Sequence, residues 1–197
     1  MELLIRVAVG VTIGIVSGSI IEKLCLIYIS ETEDRVKEYK SNKIKVIIAT
    51  VIFTVAILLK FNWIGFIHYG VVGLMLILIG IIDYHTHYVY KIMSIPMIVF
   101  SLFIGIYSYG ANELIGQISF FIIIYLFAMV KGQFYGDIEC LIVVGCVVGR
   151  LGLFIVMAIA LTLLLLKLLL NRNNKIKSAA LCPYLAFAYI LTIVFIF

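Results

Sequence analysis

Apolar runs of spanning length recur along the chain at about 3–29, 44–60, 64–82, 92–109, 114–130, 152–170 and 179–197. A shorter apolar run, about 138–149, lies between Asp137 and Arg150. About 20 apolar residues in helical conformation cross a bilayer, so this short run suits a tilted or re-entrant segment. Backbone amides cannot stay unpaired in hydrocarbon, so such runs become helices. The pattern predicts an all-α, polytopic transmembrane bundle of about eight membrane segments, forming a single domain over residues 1–197. The one long polar stretch, 30–43, mixes both charge signs at helical spacing, as a short solvated loop or helix does. A second polar patch, 171–178, is basic. The N-terminal run lacks a small-residue cleavage site and reads as the first membrane helix.

Composition strengthens this reading. Of 197 residues, 65% are hydrophobic and only 13% charged, with a mean hydropathy of +1.25. A soluble domain is about half apolar and about a quarter charged, so the solvent for most of this chain is lipid. The net charge of +5 does not point to nucleic acid, because the basic residues form no stripe with interleaved aromatics. They sit between apolar runs and read as topology signals.

With 30–43 placed as a short cytoplasmic loop and the eight segments alternating, one side collects Lys23, Arg35, Lys37, Lys40, Lys43, Lys45, Lys91, Lys131, Lys167, Arg172, Lys175 and Lys177. The other keeps Arg6, Lys60 and Arg150. Positive residues concentrate on the cytoplasmic side of membrane proteins, so both termini are expected outside and the chain in the cytoplasmic (inner) membrane. Trp63 then falls at the outer interface, where aromatic anchors gather.

Cys25, Cys140, Cys146 and Cys182 form no CxxC pair, so their spacing indicates neither a zinc site nor a disulfide framework. They read as small buried apolar side chains. No metal and no cofactor is expected.

The chemistry centres on two aspartates. Asp34 lies in the polar loop, but Asp83 and Asp137 each stand at the end of an apolar run. Carboxylates at membrane depth are costly and mark functional sites. Two spans, 92–109 and 114–130, separate the pair and return the chain to the same face. Two close carboxylates in a poorly hydrated site share a proton, which leaves one group to activate water and one to protonate a carbonyl or amine. Amide hydrolysis is the chemistry that follows. The alternative is that each aspartate simply ends a helix among headgroups.

The sequence around both aspartates resembles the type IV prepilin peptidases, which belong with the GxGD-type membrane aspartic proteases. Around the first, IIDYHTHYVYKIMSIPMIVF aligns Asp83 with that family's first catalytic aspartate. Ser94, Ile95 and Pro96 align with the start of its next helix, where a proline costs no hydrogen bond. Around the second, FYGDIECLIVVGCVVG aligns Gly136 and Asp137 with the GxGD motif, and Gly145 and Gly149 with two glycines four apart. Gly136 permits a tight turn, and the later pair offers a small-residue face for helix contact. GIVSGSIIEKLCLI at 14–27 is similar to the family's first helix, with Glu22 near its asparagine position. LCPYLAFAY, containing Pro183, is similar to its last.

The resemblance implies an aspartic endopeptidase that cleaves the leader of a prepilin or pseudopilin-like substrate at the cytoplasmic face. The polar loop lacks the paired CxxC motifs that many members carry, so it implies no zinc site and no methyl transfer. Phe134, Tyr90 and Glu139 depart from the family pattern. His85 and His87 follow Asp83 without further metal ligands nearby. With Glu139 they are candidates for substrate contact or for tuning the dyad, or polar residues at headgroup level. Two other classes fit intramembrane carboxylates. One is a small proton-coupled carrier, with an acidic residue near mid-membrane in a broken helix. The other is a non-catalytic assembly factor.

Overall fold

A computed structural model describes residues 1–30, 43–112, 135–170 and 180–197, with scattered positions between 114 and 126. Its helices are α1 (Glu2–Ser30), α2 (Lys43–Lys60), α3 (Trp63–Thr86), α4 (Lys91–Tyr109), α5 (Tyr135–Leu170) and α6 (Cys182–Phe195). Among the described residues there is no strand. Four helices, α1, α3, α4 and α5, are long and apolar enough to cross a membrane. Residues 31–42, most of 114–130 and 171–179 lie outside the described residues, and with them the polar loop, Lys131 and Phe134.

Large apolar side chains point outward from these helices. Phe103 is 70% exposed, Leu165 58% and Phe187 52%. An outer surface of this kind is stable only against lipid or protein.

α1 and α2 pack antiparallel. Gly10, Gly14 and Gly18 lie along one face of α1 against Val55, Val51 and Ile47 of α2, so close that a Cβ at Gly14 or Gly18 would collide and one at Gly10 would be tight. The backbones are near enough for the Thr50 hydroxyl to donate to the Gly14 carbonyl at 2.8 Å, and Thr54 to Gly10 at 2.7 Å. Small residues and threonine hydroxyls hold helices together where lipid removes the hydrophobic incentive. The sequence singled out this segment only by its resemblance, and the contact face was not anticipated.

The core lies between α3, α4, the first part of α5, and α6. Leu76, Ile79, Val143, Val144, Leu185 and Tyr189 are fully buried there. The Tyr189 hydroxyl donates to the Tyr69 carbonyl at 3.0 Å, satisfying its polar tip in an apolar setting.

The short 138–149 run and the 152–170 run adjoin as α5, and Gly149 separates them with φ 73° and ψ −178°. That conformation is essentially restricted to glycine. The chain doubles back there. Before the break, the Tyr109 hydroxyl at the end of α4 donates to Val147 at 3.1 Å. Beyond it, Lys167 Nζ returns to within 5.0 Å of the Tyr84 ring and 5.5 Å of the Tyr184 ring, at the opposite end of the bundle. Gly149 was expected to supply a packing face with Gly145. It is instead the hinge of a helical hairpin, while Gly145 is buried within the first arm.

Pro96 also differs from expectation. α4 starts at Lys91, with Tyr90 accepting from Met93 and Ser94 at the cap. Pro96 is therefore inside the helix, past the first turn, and leaves the Ile92 carbonyl without its usual donor. It lies on the exposed face, away from the aspartates.

Candidate active site

Asp83 approaches the C-terminal end of α3. The helix stops four residues later, where His87 takes the left-handed conformation (φ 54°, ψ 34°) and its N–H closes on the Asp83 carbonyl at 2.8 Å. Glycine is usual at such a stop, so His87 carries backbone strain here. Its described role is to end α3 directly after Asp83. The chain then runs through Tyr88 and Val89 to Tyr90. The Tyr90 hydroxyl donates to Tyr28 of α1 at 3.1 Å, and its ring packs on that of Tyr28. Tyr90 thus ties this connection to α1.

Asp137 stands in the first turn of α5. A Cβ on the neighbouring Gly136 would fall on the Val89 side chain. The glycine lets α5 begin against the strap that follows Asp83, and so sets the separation of the two carboxyl groups. Gly80, one turn before Asp83, packs closely against Pro183 at the start of α6, where a Cβ would stand about 3.1 Å from Pro183 Cα.

These close approaches converge on one point. Oxygens of Asp83 and Asp137 and the sulfur of Cys182 all lie within 4.8 Å of one another. The Cys182 amide donates to Asp83 Oδ2 at 3.3 Å. Its thiol lies within donating distance of Asp137 Oδ1, at 3.2 Å, and of Cys140 Sγ, at 3.4 Å. Asp83 is 5% exposed and both thiols are fully buried, while Asp137 is partly open. A single thiol proton serves one acceptor at a time, so Cys140 can donate to the Cys182 sulfur whenever Cys182 donates to Asp137.

Both predicted aspartates thus meet, with Gly136 and Pro183 as the supports that bring them there. Glu139 is buried on α5, but two residues from Asp137 it faces another way around the helix. Glu22 is buried on α1. His85 lies on an apolar groove of about 530 Å³ that α2, α3 and α6 form beside Asp83. Gly80, Tyr84, Pro183 and Phe187 share its lining.

Sequence reasoning missed Cys182 and Cys140. Their separation in the chain hides the contact, since they stand 42 positions apart. The one local signal was the position of Cys182 directly before Pro183 in a motif already singled out.

The arrangement provides two carboxylates in a poorly hydrated pocket, anchored by one residue and flanked by an apolar groove that Gly80, Tyr84 and Pro183 line. No family model, curated protein or solved structure matches the chain.

Proposed function

We propose that the protein is a membrane aspartic endopeptidase acting on a prepilin or pseudopilin-like substrate at the cytoplasmic face. The observation that carries this reading is the convergence of Asp83 and Asp137 within 4.8 Å. That span holds one water hydrogen-bonded to both carboxyl groups. The ionised member takes a proton from the water as its oxygen attacks the scissile carbonyl carbon. The protonated member gives its proton to the carbonyl oxygen. Collapse of the resulting diol breaks the C–N bond, and the leaving amine takes up a proton from the dyad. Cys182 holds one oxygen of each aspartate throughout.

The eight-segment, multi-pass topology supports the same side for the site. α4 ends at the Gly149 end of the bundle and α5 starts at the aspartate end, as a further crossing between them requires. Lys167 sits at the aspartate end. Arg6, donating to Phe61 at 3.2 Å, and Lys60, donating to Val194 at 2.8 Å, sit at the other. Lys43, Lys45 and Lys91, at the starts of α2 and α4, join Lys167 at the aspartate end, and this excess of cations supports a cytoplasmic site. The apolar groove beside Asp83 suits the hydrophobic helix that follows a cleaved leader. The carrier reading expects an acidic residue within a broken helix. The described break, at Gly149, lies at the opposite end from both aspartates.

The test is cleavage of a co-expressed prepilin-like substrate in membranes. Wild type is expected to cleave, and Asp83→Asn and Asp137→Asn each to abolish cleavage while still inserting. Cleavage that survives either substitution removes the mechanism. No cleavage by wild type across several leaders removes the assignment.

A further inference from the structure

The thiol at the centre of the dyad gives this pocket a second chemistry. We propose that Asp83, Asp137 and Cys182 form a binding site for a thiophilic divalent cation of the zinc class, with Cys140 supporting the sulfur ligand. Four-coordinate zinc holds sulfur at about 2.3 Å and carboxylate oxygen at about 2.0–2.2 Å, so its neighbouring ligands stand roughly 3.3–3.8 Å apart. Cys182 Sγ already lies 3.2 Å from Asp137 Oδ1, and all three donor atoms lie within 4.8 Å of one another. Small side-chain adjustments close the set around an ion.

The donors come from three different helices, α3, α5 and α6, so the site is built by the tertiary fold. Asp83 is 5% exposed, and the Cys182 amide donates to its Oδ2, so the residue that supplies the sulfur also holds this carboxylate. Cys140 Sγ, 3.4 Å from Cys182 Sγ, donates its S–H to the Cys182 thiolate once that sulfur is coordinated.

The donor set selects the metal. Magnesium and calcium require six or more oxygen ligands, and Mg²⁺ keeps several waters. Two carboxylates and one thiolate in a largely buried pocket suit zinc, cobalt or cadmium, with a fourth position for water. Binding replaces protons by metal. The Cys182 S–H bond breaks, an S–metal bond forms, and the thiol proton leaves with any proton the carboxyl pair shares. No electron is transferred. On the peptidase reading, on which this consequence alone rests, the bound cation takes both carboxylates and turns cleavage off.

The experiment is titration of the purified, thiol-reduced full chain in detergent with Co²⁺, followed by absorbance. One equivalent is expected to produce the visible bands of tetrahedral cobalt and a near-ultraviolet thiolate-to-cobalt band, both bleached by Zn²⁺. Cys182→Ser is expected to lose the thiolate band. Asp83→Asn and Asp137→Asn keep the thiol and are expected to weaken binding at least about tenfold. Cys146→Ser, remote from the pocket, is expected to keep every band. Absence of the thiolate band in wild type overturns the proposal, as does a band that persists undiminished in Cys182→Ser or in both asparagine variants. Cleavage assayed with and without Zn²⁺ separates the two readings. Cleavage indifferent to zinc defeats the metal site alone, while cobalt binding without any cleavage defeats the peptidase alone.

Discussion

The Cys182 amide donates to Asp83 Oδ2 at 3.3 Å, and the same residue's thiol reaches Asp137 Oδ1 at 3.2 Å. One residue at the start of α6 therefore aligns both carboxyl groups. The amide contact belongs to the backbone and survives any side chain at 182. The thiol contact does not. A hydrogen bond to a charged group is worth about 1.5–3 kcal/mol, which corresponds to roughly 10–100-fold in rate.

Cys182→Ala is thus expected to lower kcat for cleavage by roughly 10–100-fold and leave KM nearly unchanged, because the contact is to the dyad and not to substrate. Cys182→Ser restores a donor and is expected to recover most of the loss. The pH profile separates positioning from simple packing. Loss of a donor to one carboxylate shifts the limbs of the rate profile, whereas a packing defect scales the whole curve. An unshifted profile in Cys182→Ala, with no recovery in Cys182→Ser, contradicts the role.

Gly136 provides a test of how the dyad is brought together. A Cβ there would strike Val89. Overpacking of this kind costs about 1–3 kcal/mol. Gly136→Ala is expected to lower thermal stability in detergent and reduce cleavage, by pushing α5 away from the strap after α3. The double variant Gly136→Ala with Val89→Ala is expected to regain both. Failure of the second substitution to rescue the first would show that the glycine is needed for something other than this contact.

Much of this site was legible in the sequence, for identifiable reasons. A carboxylate at the end of an apolar run is conspicuous because lipid makes it costly, so Asp83 and Asp137 stood out among the chain's ten acidic residues. Parity of the spans between them placed both at one face. Gly136 and Pro183 were visible as small and rigid residues beside the chemistry. The thiols were not legible, because cysteine is equally at home as an apolar filler and Cys140 and Cys182 stand 42 positions apart. The role of Gly149 was not legible either. A glycine inside an apolar run reads the same whether it packs against a helix or breaks one, and only its φ of 73° decides. Pro96 was misread by a boundary error, since α4 begins at Lys91 and puts the proline beyond the first turn.

The break at Gly149 makes its own prediction. With φ 73° and ψ −178°, a side chain there is strained whatever the space, and the Tyr109 ring lies about 3.0 Å from where a Cβ would stand. Such backbone strain costs about 1–3 kcal/mol. Gly149→Ala is expected to reduce thermal stability by that order. Tyr109→Ala in the same chain should relieve the steric part and leave the backbone part. Gly145→Ala lies within the regular helix, where alanine is favoured over glycine by up to about 1 kcal/mol. It is therefore expected to be much milder. Equal effects at 145 and 149 would argue against a hairpin hinge.

The orientation of the site can be read with thiol chemistry because all four native cysteines are buried. A membrane-impermeant maleimide should leave wild type unlabelled in intact cells, so no cysteine need be removed and the dyad keeps Cys182. Arg150 is exposed next to the hairpin hinge, and Lys91 is exposed at the start of α4, on the aspartate side. If the aspartates face the cytoplasm, Arg150→Cys is expected to label in intact cells. Lys91→Cys is expected to label only after the membrane is opened. The physical basis is the sidedness of the cations, with Lys43, Lys45, Lys91 and Lys167 at the aspartate end and Arg6, Lys60 and Arg150 at the other. Reversed labelling would put the dyad outside, where a leader still attached to the cytoplasmic side of its substrate cannot reach it, and the proposed peptidase role would fall with the orientation.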